Sequence, residues 1–204
     1  GGFDVFYISP FLNSGDPYKL AAEYRYAEGR DNGVLGIDMS QHGDYLYLAR
    51  EKWLEVCNVS DISRPMFITK DTSTRHPYRS GNACTDLAVK QDILLLGTEK
   101  DLRFFDIKDP AHPYPLKNEK NRLVIYPTQG AVIDIKNSGD YAFLFFGPAR
   151  RRVAKGETGL EIVDISDPQK PEFVDILTVG TTKGRGQSQN MALSAEKDKG
   201  HPAC

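Results

Sequence analysis

Residues 159–174 hold the feature that most constrains the fold of this chain, because their pattern recurs along the sequence. The mostly apolar, β-branched run at 160–165 predicts a strand with at least one buried face. The turn at 167–171 ends it, since proline lacks an N–H and aspartate bonds its own backbone two residues on. Apolar residues restart at Phe173, so two strands flank an Asp/Pro turn.

The same strand-turn-strand order occurs at 102–116 and 54–68, and a looser copy with an expanded turn occupies 3–24. The prolines that close the turns are Pro17, Pro65, Pro113 and Pro171. Their spacing gives periods of 48, 48 and 58 residues. The chain is therefore predicted to be a repeat protein.

A second shared unit precedes the copies, at 33–48, 85–96 and 130–146, and each reads as two strands joined by a short polar turn. Four strands thus recur in one order, with sheets expected at 33–68, 83–116 and 130–177. Four antiparallel strands at a period of about 40 to 50 residues are typical of a β-propeller blade. The predicted fold class is an all-β propeller with three complete four-stranded blades and partial blades at both ends.

The run Leu160-Glu161-Ile162-Val163-Asp164-Ile165-Ser166-Asp167-Pro168, with its copies at 102–110 and 54–62, resembles the LVIVD repeat. This is a bacterial and archaeal family of propeller repeats. The second copy departs from it, with Cys57-Asn58 in place of Val-Asp. The resemblance implies an extracellular, cell-surface or periplasmic location. It implies no general activity, no catalytic residues and no cofactor.

We expect propeller blades over 1–194 and a polar tail or loop over 195–204. The individual units are a partial blade at 1–27, blades at 28–75, 76–120 and 121–178, and a further first strand at 186–194. Because an incomplete ring exposes unpaired strand edges, the missing blades come either from a longer chain or from a partner.

The sequence holds no Cys-x-x-Cys or His-x-x-x-His metal motif and no Gly-x-Ser-x-Gly nucleophile motif. Asp109 and Asp167 suggest paired carboxylates or calcium ligands, but their repetition favours turn capping. His42 and His112 are interpreted as turn residues. The three cysteines, Cys57, Cys84 and Cys204, give no disulfide framework and are expected to be free, with Cys57 and Cys84 buried.

The sequence contains no run of about 18 apolar residues, so no membrane span is predicted. A net charge of −2 and a pI near 6.1 argue against a surface built for nucleic acid. Basic and acidic residues are instead distributed unevenly between the two sets of predicted loops. We call "upper" the end that carries the loops between blades and those between second and third strands, and "lower" the opposite end. The upper loops hold twelve basic and six acidic residues, whereas the lower turns are richer in aspartate.

An insertion at 148–158 makes the third period ten residues longer and carries Arg150, Arg151, Arg152 and Lys155. It is either a solvated loop or a contact that reaches over the upper end beside Arg75 and Arg185. The residues proposed to bind a partner or ligand are Arg75, His76, Arg79, Arg150, Arg151, Arg152, Lys155 and Arg185.

Two functions remain open. The first is a non-enzymatic scaffold that binds a protein or anionic polymer through the basic upper loops. The alternative is a propeller enzyme or cofactor-associated subunit, with Arg75, His76, Tyr78, Arg79, Tyr126 and Gln129 around a small anionic ligand at the channel mouth. In either case Ile37, Leu87 and Ile133 are expected at equivalent buried positions in the innermost strands.

Overall fold

The computed structural model describes residues 2–8, 18–25, 34–61, 63–68, 78–148 and 156–182. In these ranges the chain forms strands joined by turns and contains no helix. The strands are β1 (Gly2–Ile8), β2 (Tyr18–Arg25), β3 (Val34–Met39), β4 (Tyr45–Arg50), β5 (Trp53–Asn58), β6 (Met66–Phe67), β7 (Tyr78–Arg79), β8 (Cys84–Lys90), β9 (Ile93–Thr98), β10 (Asp101–Asp106), β11 (Tyr114–Pro115), β12 (Ile125–Pro127), β13 (Ala131–Ser138), β14 (Tyr141–Gly147), β15 (Gly156–Asp164) and β16 (Glu172–Thr182).

Three antiparallel sheets follow one another, each with its strands in chain order. The first sheet is β3-β4-β5-β6, the second is β8-β9-β10-β11, and the third is β13-β14-β15-β16. A short extra strand pairs with the third strand of the first two sheets: β7 with β5, and β12 with β10. The all-β fold with four-stranded antiparallel blades is confirmed. The sheets do not close into a ring within the described ranges.

The strands β1 and β2 form a separate antiparallel pair, where the sequence predicted the looser first copy. The expected first strand at 186–194 and the polar tail at 195–204 lie outside the described residues. Most of the insertion, at 149–155, lies outside them as well.

Two successive side-chain turns end the third strand of every sheet. In the third sheet, Asp164 accepts the Ser166 N–H at 2.8 Å and Asp167 accepts the Gln169 N–H at 2.9 Å. The same bonds are made by Asp106 and Asp109 in the second sheet and by Asn58 and Asp61 in the first. Asp109 and Asp167 are therefore turn-capping residues, as predicted.

Each complete sheet is apolar on both faces, and successive sheets pack face to face. We call the face toward the preceding sheet the near face and the face toward the following sheet the far face. The interface between the second and third sheets is formed by Leu95, Leu102 and Phe104 against Ile135, Leu144 and Val163, all at most 1% exposed. The equivalent interface between the first and second sheets joins Tyr47, Leu54 and Val56 to Leu87, Leu96 and Phe105.

The first strand of each complete sheet contains a β-bulge, which changes the residues predicted to be equivalent in the three first strands. The register shifts fall between Val34 and Gly36, between Cys84 and Asp86, and between Val132 and Asp134. The equivalent positions are therefore Ile37, Leu87 and Ile135, which pair with Leu48, Leu96 and Leu144.

The predicted set Ile37, Leu87 and Ile133 was wrong in two members. In a regular strand Ile133 and Ile135 would share a face, but the bulge inserts Ile133 as the extra residue, and only Ile135 points to the near face. Ile37 has the correct register but is 50% exposed. Leu87 is buried as expected.

Carboxylates on the far faces join the first strands of neighbouring sheets. Asp38 Oδ2 accepts the Val89 N–H at 2.7 Å, and Asp86 Oδ2 accepts the Ile135 N–H at 2.7 Å. Burial raises the pKa of Asp86 to about 7, an effect that the nearby Asp134 reinforces and Lys136 opposes. These bonds fix how far each first strand is shifted along the next.

The bulge register predicts the effect of truncating equivalent isoleucines. Ile135→Ala should lower the free energy of unfolding by about 2 to 5 kcal/mol, because it leaves a cavity between two sheets. Ile37→Ala is the matched control at the same register position and should cost much less, since Ile37 is half exposed. Urea denaturation measures both, and equal losses for the two variants would contradict the register.

The raised pKa of Asp86 predicts a pH dependence of stability. The folded protein holds a proton on Asp86 at pH values where the unfolded chain has released it. The contribution of Asp86 to the free energy of unfolding is therefore fully present below the unfolded pKa and is lost as pH rises through about 7. Asp86→Asn keeps an acceptor for the Ile135 N–H and removes the titration. The free energy of unfolding should therefore fall less from pH 5 to pH 8 in the variant than in the parent, because the variant lacks the carboxyl group that titrates over this range. Parallel pH profiles would refute this role for Asp86.

Candidate functional site at the upper end of the sheets

The upper end brings hairpins and sheet-to-sheet connections together. The hairpin of β4 and β5 closes at the Arg50–Trp53 pair, and β7 returns beside it through the Trp53–Arg79 pair. In the second sheet, β12 returns beside the β9–β10 hairpin through the Asp101–Pro127 pair. For the described loops, the register therefore agrees with the grouping predicted from the sequence.

Arg79 is the predicted binding residue that lies within the described ranges. The other predicted residues, Arg75, His76, Arg150, Arg151, Arg152, Lys155 and Arg185, lie outside the described residues. The structure thus positions one member of the predicted set.

Arg79 is exposed, and its guanidinium carbon lies 5.3 Å from the centre of the Trp53 ring. This distance is within the range of a cation–π interaction. The Ser80 N–H donates to the Lys52 carbonyl at 2.7 Å, which fixes the backbone beside Arg79 to the same hairpin. The arginine is therefore held at the upper end while the N–H groups at the rim of its guanidinium remain suited to a carboxylate.

The charges of the described upper loops are balanced. The basic residues Arg50, Lys52, Arg79 and Lys100 are matched in number by Glu51, Glu99, Asp101 and Glu157. Arg50 also forms an ion pair with the buried Glu55 at 3.2 Å. The residues that would make the predicted basic excess therefore lie outside the described residues.

A charged residue lies at the centre of the third strand in every complete sheet. Glu55, Arg103 and Glu161 pair with Leu48, Leu96 and Leu144, which shows that the three positions are equivalent. Glu55 and Glu161 are at most 1% exposed. The sequence analysis did not single out these residues. The available signal was a charged side chain at the second position of each apolar copy.

Tyrosine hydroxyls connect two of these charges to the preceding sheet. The Tyr126 hydroxyl donates to Glu161 Oε1 at 2.7 Å, and the Gln129 N–H donates to Glu161 Oε2 at 3.2 Å. Burial, and then the bond to Glu161, raises the pKa of Tyr126 above its ordinary value. At the preceding interface Arg103 Nη1 donates to the Tyr78 hydroxyl at 3.0 Å. Three of the groups considered above as contacts to a small ligand thus join neighbouring sheets instead. They are the hydroxyls of Tyr78 and Tyr126 and the backbone amide of Gln129.

Arg103 belongs to a polar network beneath the β9–β10 hairpin. Its Nε and Nη2 donate to the two oxygens of Asp101 at 2.7 and 3.1 Å. The Thr98 hydroxyl and the Asn82 amide also donate to Asp101, at 2.8 and 3.1 Å. This network fixes the hairpin and the connection that precedes β8.

The described cysteines are poor nucleophiles. Cys57 and Cys84 are free and fully buried, as predicted, whereas Cys204 lies outside the described residues. Burial raises the pKa of each of the two thiols to about 11. Both are therefore protonated at neutral pH, when the reactive thiolate is scarce.

The described histidines lie in turns at the lower end. His42 occupies the β3–β4 turn, and His112 Nδ1 lies 2.9 Å from Asp109 Oδ2. Over the residues that the structure describes, no group of three or more His, Cys, Asp and Glu side chains is arranged to hold a metal ion. The same residues include no helix with the length and apolar character needed to cross a membrane.

The Tyr126–Glu161 bond predicts the effect of removing one hydroxyl. Tyr126→Phe should lower the free energy of unfolding by about 1 to 3 kcal/mol, because a buried carboxylate oxygen loses its donor. Tyr114→Phe is a matched control, since Tyr114 is 59% exposed. Urea denaturation at pH 7 compares the two variants. An unchanged midpoint for Tyr126→Phe would show that the bond does not contribute.

Three solved structures that resemble this chain share 10 to 12% sequence identity with it. The computationally designed Ika4 protein is 10% identical, with a TM-score of 0.47, and the match covers 83% of this chain and 85% of that chain. A functionally unknown protein from Desulfotomaculum acetoxidans is 12% identical, with a TM-score of 0.47 and coverage of 84% and 48%. The N-terminal domain of Nup159 is 10% identical, with a TM-score of 0.43 and coverage of 81% and 35%. Comparison with curated proteins gave no match.

Comparison with protein families identifies the repeats. The LVIVD repeat model matches residues 36–70 and 129–179. These segments cover most of the first and third sheets, whose third strands end in the tandem turns described above. Over these two segments the chain carries the LVIVD repeat.

Proposed function

We propose that this chain is a non-enzymatic repeat scaffold that binds an acidic protein partner through the basic residues of its upper end. The LVIVD repeats and the all-β architecture form the scaffold. The proposed contact residues are Arg75, His76, Arg79, Arg150, Arg151, Arg152, Lys155 and Arg185.

The observation that carries this proposal is the exposed Arg79 held over Trp53 at 5.3 Å. An arginine restrained in this way loses less side-chain entropy on binding than a freely rotating one. Its planar fork suits the two oxygens of a carboxylate. Such a residue contributes to affinity and orientation together.

The ends of the insertion support a contribution from Arg150 to Arg152. A Cβ built on Gly156 would lie 2.9 Å from the Cβ of Pro148, so the two described ends of the segment are adjacent. Both described ends lie at the upper end, where β14 and β15 meet. A basic loop there would extend the surface that begins at Arg79.

We further propose that the protein acts on the cell surface or in the periplasm. The support is the match to the LVIVD repeat at residues 36–70 and 129–179, because that resemblance implies such a location. The partner would then be an acidic domain of another envelope protein.

Exchanging one charge at each end of the sheets tests the proposal. Arg79→Gln should weaken binding to an immobilised poly-glutamate probe by about two- to fivefold, since exposed charge contacts contribute up to about 1 kcal/mol. Arg64→Gln makes the same change on an exposed arginine in a lower turn and should have no effect. Surface plasmon resonance at several salt concentrations measures both. Replacing Arg150 to Arg152 with serine should weaken binding further and reduce its salt dependence.

The thermal midpoints of Arg79→Gln and Arg64→Gln should match that of the parent, because both arginines are exposed. That of the triple serine variant is expected to stay nearly unchanged. Equal binding by the parent, Arg79→Gln and the triple serine variant would refute the basic upper end as the contact surface. Equal weakening by Arg64→Gln would show a general charge effect instead.

A further inference from the structure

A cavity of about 280 Å³ opens at the lower end, between the second and third sheets. The apolar side chains of its lining are Ile93, Ile165 and Pro168. Its polar part includes Lys90 and Asp140, whose Nζ and Oδ1 atoms lie 3.1 Å apart. The volume is just below the range of roughly 300 to 1,000 Å³ that holds drug-sized ligands. The cavity is therefore suited to a single small ring.

The interface between the first and second sheets shows how the equivalent space is filled. Strand pairing makes Tyr45 and Tyr47 of the first sheet equivalent to Ile93 and Leu95 of the second. Tyr47 is fully buried, and its hydroxyl donates to the Pro110 carbonyl at 3.0 Å. Tyr45 packs against the same apolar cluster. A phenol ring thus crosses this interface and reaches the turn that follows the third strand of the next sheet.

The carbonyl that accepts this phenol has a counterpart at the cavity. Pro110 and Pro168 each follow the second capping aspartate of a tandem turn, Asp109 or Asp167. Both aspartates accept the N–H two residues on and also cap the turn through their own carbonyls. The two turns therefore have the same backbone hydrogen bonds, and the Pro168 carbonyl takes the place of the Pro110 carbonyl.

We propose that the cavity binds a phenol ring, whose hydroxyl donates to the Pro168 carbonyl. Ile93 and Leu95 carry neither a ring nor a hydroxyl, so the second sheet does not supply the group that Tyr47 supplies in the first. The apolar walls would pack against the faces of the ring.

The ring belongs either to a free small phenol or to the tyrosine side chain of a peptide. Its site lies at the opposite end of the sheets from Arg79. The inference therefore does not depend on the acidic partner proposed above.

Titration with p-cresol, followed by NMR of the backbone amides, tests the proposal on the full chain. The amides of Gly139, Asp140 and Ser166 report on the cavity, because these residues line it. We expect p-cresol to shift them in a saturable way. Toluene has the same shape without the hydroxyl, so it should bind about two- to tenfold more weakly, the effect of one hydrogen bond.

A cavity-filling variant locates the binding site. Ile93→Tyr places a phenol where Tyr45 and Tyr141 stand in the other two sheets, so the fold should tolerate it. It should weaken p-cresol binding by about tenfold or more. Ile125→Tyr is the matched control, because it makes the same substitution on β12, where the native isoleucine is 44% exposed. This control should leave the affinity unchanged.

N-acetyltyrosinamide distinguishes the two sources of the ring. Binding tighter than that of p-cresol would assign the site to a peptide tyrosine, and weaker binding would assign it to a free small phenol. The proposal is overturned if p-cresol does not shift the cavity amides or if toluene binds equally well. It is also overturned if Ile93→Tyr binds p-cresol as tightly as the parent does.

Discussion

The apolar contact between successive sheets is the interaction on which the other features of this structure depend. A four-stranded sheet with two apolar faces is not stable alone, since each face exposed to water costs about 25 cal/mol per Å² of apolar area. Stacking removes this cost only when both faces are covered. The middle sheet meets this condition, with fully buried Leu95 on one face and Leu96 on the other.

Polar groups inside these contacts determine alignment more than total stability. Apolar side chains tolerate small shifts, whereas a buried carboxyl group that loses its hydrogen-bond partner is strongly destabilising. Two such bonds cross one interface: the Ile135 N–H donates to Asp86, and the Tyr126 hydroxyl donates to Glu161. They lie at the inner strand and at the third strand, so together they restrain both sliding and rotation between the sheets.

The order of strands, the turns and the fold class could be predicted because they depend on local chemistry. The prolines and the Asp109 and Asp167 caps act through their own backbone, and the periodic copies repeat that signal. The bulge in β13 could not be predicted, because a register shift depends on pairing with β14 and leaves the apolar pattern around Ile133 and Ile135 unchanged. The stacking of Arg79 on Trp53 was also hidden, since 26 residues separate the two in the sequence.

The tyrosine in each extra strand, which pairs with the leucine before the central charge of the third strand, has a consequence for how such repeats can differ. A hydroxyl both donates and accepts a hydrogen bond, so Tyr126 serves a carboxylate and Tyr78 serves a guanidinium at equivalent positions. After duplication, one copy can therefore reverse the sign of its buried charge through a sequence of substitutions while the neighbouring copy keeps its tyrosine. The same tyrosine can therefore satisfy a buried charge of either sign at this position.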